Sequence, residues 1–451
     1  MYRSYEHYIS SCIEIAQERL SGFSSIAEIA AHEKEINRYP RLDRLSQPRQ
    51  IHLLDTMDQH DARLARAKAC VGRGEILFEH AAAGEGTRLM LGPKYSLNIA
   101  LEFTIDKLTR YVSRATGEVT EQEKIATQLD CLPGELLPLS LGTRHMLQLS
   151  FDLTKLSREM GESSGEVLAR QHLLIIVSKE MVAQVERDFC DWHFFGFNPD
   201  QIFFMVQETF HGLSLKNGQF FYDTQSPKRL HNHGQMVIQQ SMDRQIFPLS
   251  EGLAPDKVFL TQASVAHWLQ SFADKISYNI EDLDYLTSSL DFGGLGLALE
   301  LGNKGNNMVM EVVANNPLNP QKGGMLAWDP VLQRDVMIES FQLGNIDHKN
   351  IKFLNRNFNH YPKPLVSWHQ VGETGLPMPI TVKDGYLYFQ PVQGDINFLV
   401  NTAFFRRPEI QPIRNLKTLA HLPLVINCMF AQDNQPGFRK FVQKCHQGEF
   451  D

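Results

Sequence analysis

Glu75-Ile76-Leu77-Phe78 leads within a few residues to Ala83-Gly84-Glu85-Gly86-Thr87-Arg88-Leu89, and Pro93-Lys94 follows at once. The first four residues read as a short strand, the rest as a glycine turn carrying a guanidinium and an ammonium. Glycines let backbone N–H groups approach anionic oxygens with no Cβ in the way, while Arg88 offers a planar fork and Lys94 a point charge. A strand that delivers such a turn puts phosphates at the carboxyl end of a sheet, as α/β folds do. Taken alone, the same string is also compatible with a tight turn whose charges are simply solvated.

The 451 residues allow one large domain or two to three ordinary ones, with a sizeable core. Hydrophobic residues at 43% and charged residues at 21% are ordinary for a globular chain and exclude disordered or fibrous classes. A net charge of −8 argues against a broad nucleic-acid surface, which needs clustered Lys and Arg. The six cysteines are scattered without a C-x-x-C pair, and no membrane-length apolar run or secretory leader is present. A cytoplasmic protein is expected, with export by a route that needs no such leader left open.

Residues 1–72 carry apolar positions at helical spacing and predict an N-terminal helical layer. Buried strands are predicted at His172–Ser178 and at Ile202-Phe203-Phe204-Met205-Val206, ending at Gln207. Later candidates are Val258-Phe259-Leu260, Met308 to Val313, Met325 to Trp328 and Val336 to Ile338. Strands alternating with helices predict an α/β protein with a mixed central sheet. Residues 100–141 read as an insertion and should lie beside the site mouth, because they join just after Lys94. Residues 73–420 form the expected main domain and 421–451 a C-terminal tail.

Taken in order, these segments resemble the UDP-sugar pyrophosphorylases, in particular the UTP–glucose-1-phosphate uridylyltransferases, whose loop reads roughly L-x-G-G-x-G-T-x-(L/M)-G-x-x-x-PK. The likeness runs from about Glu75 to Arg414 and implies a nucleotide-diphospho-sugar transferase (Rossmann-like) fold. It implies that Ala83, Gly84, Gly86 and Thr87 cradle the nucleotide and that Gln207 reads uracil, an amide being able to donate and accept in one plane. His231-Asn232-His233-Gly234-Gln235 is similar to the family's P-G-H-G-D, which sets His233 and Gly234 against the base. Without that likeness the two histidines could be a metal pair, but no Cys or carboxylate cluster accompanies them. Asp284 to Asp291 resembles D-N-L-G-A-x-x-D, so Asp284 is the implied Mg²⁺ ligand at a strand end. Glu311, Gly323 and Gly324 resemble M-E-V and K-G-G, Asn355 resembles an asparagine of F-N-T-N-N, and all four are implied at the sugar. Arg414 stands where the family has a phosphate lysine.

The implied reaction joins UTP and a sugar 1-phosphate, most naturally glucose 1-phosphate, to UDP-sugar and pyrophosphate with Mg²⁺, and Arg88, Lys94 and Arg414 are its implied catalytic cations. Departures are Ala83 and Met90 for glycines, a gap to Pro93-Lys94 one residue short, Gln235 for aspartate, and Glu79-His80 where an apolar pair is usual. A monomer is expected, because the β-helix that often follows in eukaryotic relatives, if it drives self-association, is not read after Leu422. Two other readings stay open. One is a glycosyltransferase using Asp282-Leu283-Asp284 as a D-x-D motif; the other is a binding or regulatory protein of altered loop, with a protein activator near the insertion.

Overall fold

In the computed structural model, residues 4–54, 60–84, 91–249, 257–318, 320–408 and 414–450 are described. The strands are β1 (Ile51–Leu53), β2 (Ile76–Ala81), β3 (His172–Ser178), β4 (Ile202–Gln207), β5 (Leu213–Lys216), β6 (Gln219–Tyr222), β7 (Ile246–Pro248), β8 (Asp274–Asn279), β9 (Met308–Ala314), β10 (Met325–Asp329), β11 (Arg334–Ile338), β12 (Phe353–Pro362), β13 (Ile380–Lys383), β14 (Tyr386–Phe389) and β15 (Thr402–Arg406). The main sheet runs β1-β15-β9-β12-β8-β2-β3-β4-β7, with the β10–β11 hairpin attached to β12. Strands β8, β2, β3 and β4 are mutually parallel, whereas β12 runs antiparallel to both β8 and β9. A smaller antiparallel sheet has the order β13-β14-β5-β6.

The central strands are apolar on both sides because both faces of the sheet are covered. Ile76, Phe78, Leu173 and Ile175 enter one core, and Leu77, Leu174 and Ile176 enter the other, as strand alternation requires. The helix Tyr5–Leu20 lays Tyr8, Cys12, Ala16 and Leu20 into the second core at four-residue spacing, and Ser4 caps it by accepting from the His7 N–H.

Three expectations are corrected. The N-terminal region is not purely helical, since β1 pairs with β15 at the edge of the main sheet. Val258-Phe259-Leu260 belongs to no strand; Val258 is exposed, and the Leu260 N–H bonds Ile246 O of β7. The tail is no appendage. Its helices Leu422–Asp433 and Phe438–His446 complete the first core together with residues of the insertion such as Leu108, Val112 and Leu136. The fully buried Arg144 staples these parts, pairing with Asp433 at 2.6 Å and donating to Gln432 and to Leu137 O.

The polar pair Glu79-His80 splits across β2. His80 faces the first core, ring-stacked on Tyr278 and edge-on to Tyr285. His145 stacks on Tyr285 at 4.6 Å and 10°, and burial pulls its imidazole down to about 3. Its ring stays neutral in the folded chain, while the unfolded chain takes up a proton below about 6.5. The His145 contribution to stability is therefore present above that value and is lost as pH falls toward 3. Urea unfolding should show that the wild-type chain loses about 2 kcal/mol more than His145→Phe between about pH 7 and pH 5. Equal losses would contradict the neutral buried ring.

Candidate active site

A cleft of about 480 Å³ opens at the carboxyl ends of β2, β4 and β8. That is where ligands sit in open α/β sheets. Ala83 and Gly84 line it just past β2, Gln207 at the end of β4, and Asn279 at the end of β8. Lys94 enters from a 3₁₀ turn, Lys94–Ser96, whose first N–H donates to Gly84 O at 3.1 Å and so closes the glycine loop. The implied loop residues Gly86, Thr87 and Arg88 lie outside the described residues.

The Gln207 end of the cleft is built from backbone as much as side chain. Asn232 starts the helix Asn232–Gln240 with φ of 63°, a left-handed conformation that asparagine tolerates, and Gln207 Nε2 donates to its carbonyl at 2.8 Å. His233 also lines the cleft. Burial pulls its imidazole down to about 4, and its Nδ1 accepts from the Gln393 N–H at 3.1 Å. Gly234 plays a packing part: a Cβ there would come within 2.3 Å of the Pro391 carbonyl carbon, and its N–H bonds Pro391 O.

At the other end, Lys94 Nζ contacts Glu281 Oε2 at 2.5 Å and Lys417 Nζ lies 3.6 Å from Glu281 Oε1. Burial pushes the Glu281 carboxyl up, but the two ammonium groups more than offset it, so its pKa is lowered overall. Lys417 is a cleft residue that motif reading missed; it follows Arg414 by three positions. Glu339 lines the same cleft, with Asn355 Nδ2 donating to it at 3.5 Å. Burial raises its carboxyl pKa. Gly324 backs this group, an added Cβ meeting Ile338 O at 3.1 Å, whereas one at Gly323 would find ordinary contact with Leu354.

The remaining expected residues occupy a second cavity of about 240 Å³ that includes Asp284, Glu311, Arg356, Arg407 and Arg414. Glu311 cannot join Asn355 because the register places Asn355 opposite Val312, on the face of the sheet away from Glu311. Asn355 is opposite Val312 and Asn359 opposite Met310, so the one residue Glu311 faces three residues of β12. Val312 and Met310 enter the second core, and alternation sends Glu311 to the other face. There it is buried and paired with Arg356 at 2.6 Å and Arg407 at 2.8 Å. Asp284 is not at a strand end. It begins a 3₁₀ turn, Asp284–Leu286, beyond Asn279, and its carboxylate is held by Arg356 at 2.7 Å and by Arg414. Arg414 therefore points at Asp284 rather than into the Lys94 cleft. Asp282 also lines this second cavity; burial first, then Asp284, pushes it up to about 7.

A large mixed sheet carries a cleft across its parallel carboxyl ends, with lysines at one end and an amide at the other, and so defines an α/β protein. Its fold is that of the UDP-sugar pyrophosphorylases. Among similar solved structures, a UDP-N-acetylglucosamine pyrophosphorylase from Trypanosoma brucei in complex with an inhibitor superposes with a TM-score of 0.58 at 15% identity, over 94% of this chain and 79% of that one. A mutant UDP-glucose pyrophosphorylase from Leishmania major gives 0.51 at 13% identity, over 92% and 78%. A UDP-glucose phosphorylase from Trypanosoma brucei gives 0.50 at 14%, over 88% and 71%. By sequence, no protein-family model and no curated protein matches the chain. Among the described residues, no helix is long and apolar enough to cross a membrane.

Proposed function

We propose that the chain is a nucleotidyltransferase of the UDP-sugar pyrophosphorylase type, joining UTP and a sugar 1-phosphate with release of pyrophosphate. The observation that carries this is the pairing, within one cleft, of the Gln207 amide at a strand end with the Lys94 and Lys417 ammonium groups. An oxygen of the sugar phosphate attacks the α-phosphorus of UTP in line, and the bond to the pyrophosphate oxygen breaks. The attacking phosphate is already anionic at neutral pH, so no general base is required. Catalysis then rests on positioning and charge neutralisation. Lys94 and Lys417 neutralise the phosphates, Gln207 orients the base, and Glu339 with Asn355 takes up sugar hydroxyls by accepting and donating hydrogen bonds.

The resemblance also implies Mg²⁺, which would supply further charge neutralisation. The residues present fit it poorly. The strand end carries the neutral Asn279, Asp284 is held by two guanidinium groups, and Glu281 already contacts Lys94. No group of three His, Cys, Asp or Glu residues suited to a metal occurs among the described residues. The same geometry weakens the D-x-D reading, because Asp282 and Asp284 face the second cavity.

The test is pyrophosphate release from UTP over a panel of sugar 1-phosphates, beginning with glucose 1-phosphate and N-acetylglucosamine 1-phosphate. Release coupled to UDP-sugar formation is expected. Binding of UTP without release would favour the second reading, a nucleotide-binding regulatory protein, which the Glu281–Lys94 contact motivates. Gln207→Leu should narrow the preference for UTP over CTP by about tenfold or more, measured as the ratio of kcat/KM values. An unchanged ratio would remove Gln207 from base recognition.

A further inference from the structure

We propose that this chain grips nucleotide phosphates with Lys94 and Lys417 in place of a protein-held divalent cation, so that its nucleotide binding does not require Mg²⁺. The inference rests on the nucleotide site proposed above and concerns how that site meets its charge requirement. Three acidic groups cluster after β8, and none is available to a metal in the cleft. Glu281 is engaged by Lys94 at 2.5 Å and stands 3.6 Å from Lys417. Asp284 is engaged by Arg356 and Arg414. Asp282 lines the other cavity. The strand end itself carries an amide, Asn279, which brings no charge to the site.

A divalent cation bound by substrate phosphates usually keeps one or two protein carboxylates. Here the cleft offers two ammonium groups with Glu281 between them, and its other carboxylate, Glu339, accepts from the Asn355 amide. Phosphate oxygens entering that end would take over the contacts Glu281 now makes. Free UTP carries more negative charge than its magnesium complex, so a cleft that supplies its own cations favours the metal-free nucleotide. Lys94 is largely shielded, its side chain 12% exposed, whereas that of Lys417 is 42% exposed, so screening is limited at the Lys94 end.

Calorimetric titration of the full chain with UTP, once in EDTA and once in excess Mg²⁺, tests this. The dissociation constant in EDTA should equal that in Mg²⁺ within about threefold or be tighter, and Lys417→Gln should weaken binding about tenfold or more in EDTA. A circular-dichroism melt of Lys417→Gln matched to wild type shows that any loss is local. Glu281→Gln, which removes the competing carboxylate, should tighten UTP in both buffers. Binding that appears in Mg²⁺ but falls about tenfold or more in EDTA would overturn the proposal while leaving the nucleotide site standing. Absence of UTP binding in both buffers would overturn the site and the proposal together.

Discussion

Lys94→Ala should lower UDP-sugar formation by about a hundredfold or more while leaving the thermal unfolding midpoint within a few degrees of wild type. Its ammonium lines the cleft just past β2, where its own backbone N–H is tied to Gly84 O. The side chain ends on Glu281 at 2.5 Å, an ion pair shielded from solvent but at the cleft wall rather than in the core. Its removal takes away charge needed as pyrophosphate departs and leaves Glu281 with Lys417 as its remaining ammonium neighbour. Rate loss should therefore appear in kcat as well as kcat/KM, because charge on the leaving group grows in the transition state. An unimpaired turnover number would exclude Lys94 from the chemistry.

The second large effect is expected beneath the cleft floor. Lys275→Met should destabilise the chain by about 3–5 kcal/mol in urea unfolding, because it strands the carboxylate of Glu79 without its cation. Both residues are buried on neighbouring parallel strands, β2 and β8, and their ion pair measures 2.7 Å. Gln240 Nε2 and Ser277 Oγ donate to the same carboxylate at 2.8 and 2.7 Å, and Gln393 Nε2 at 3.3 Å. The double variant Glu79→Gln with Lys275→Met removes both charges and should recover at least about half of the loss. A single variant costing less than about 1 kcal/mol would mean that Glu79 finds its compensation in the neutral donors alone. Gln393 lines the cleft, so this network also sets the position of the wall against which His233 is held.

Strands β2, β3, β4 and β9 were legible because their apolar runs are covered on both faces and depend on no particular partner. Strand β8 was hidden by its polar text, Asp274-Lys275-Ile276-Ser277-Tyr278-Asn279. Its buried polar side chains find partners only after folding, Lys275 in Glu79 and Asp274 in His360 at 2.6 Å. Motif spacing identified residue types near the cleft but could not report sheet face. Strand alternation puts Asn355, opposite Val312, and Glu311 on different faces of the sheet, although both stood in segments that resemble one sugar site. Likewise Arg414 and Lys417 are neighbours in sequence, and the chain path decides that the first meets Asp284 and the second enters the cleft. The insertion and tail showed no motif because their task is packing: Arg144 with Asp433, and Asn427 with the Gln128 carbonyl and the Asp130 N–H.

The most direct measurement is a crystal structure of the chain with UDP-glucose. The account predicts the uracil edge within hydrogen-bond distance of the Gln207 amide, and the diphosphate between Lys94 and Lys417 with Glu281 displaced from Lys94. Nucleotide density in the Arg356–Arg407–Arg414 cavity, with the Lys94 cleft still closed by the Glu281 contact, would contradict it.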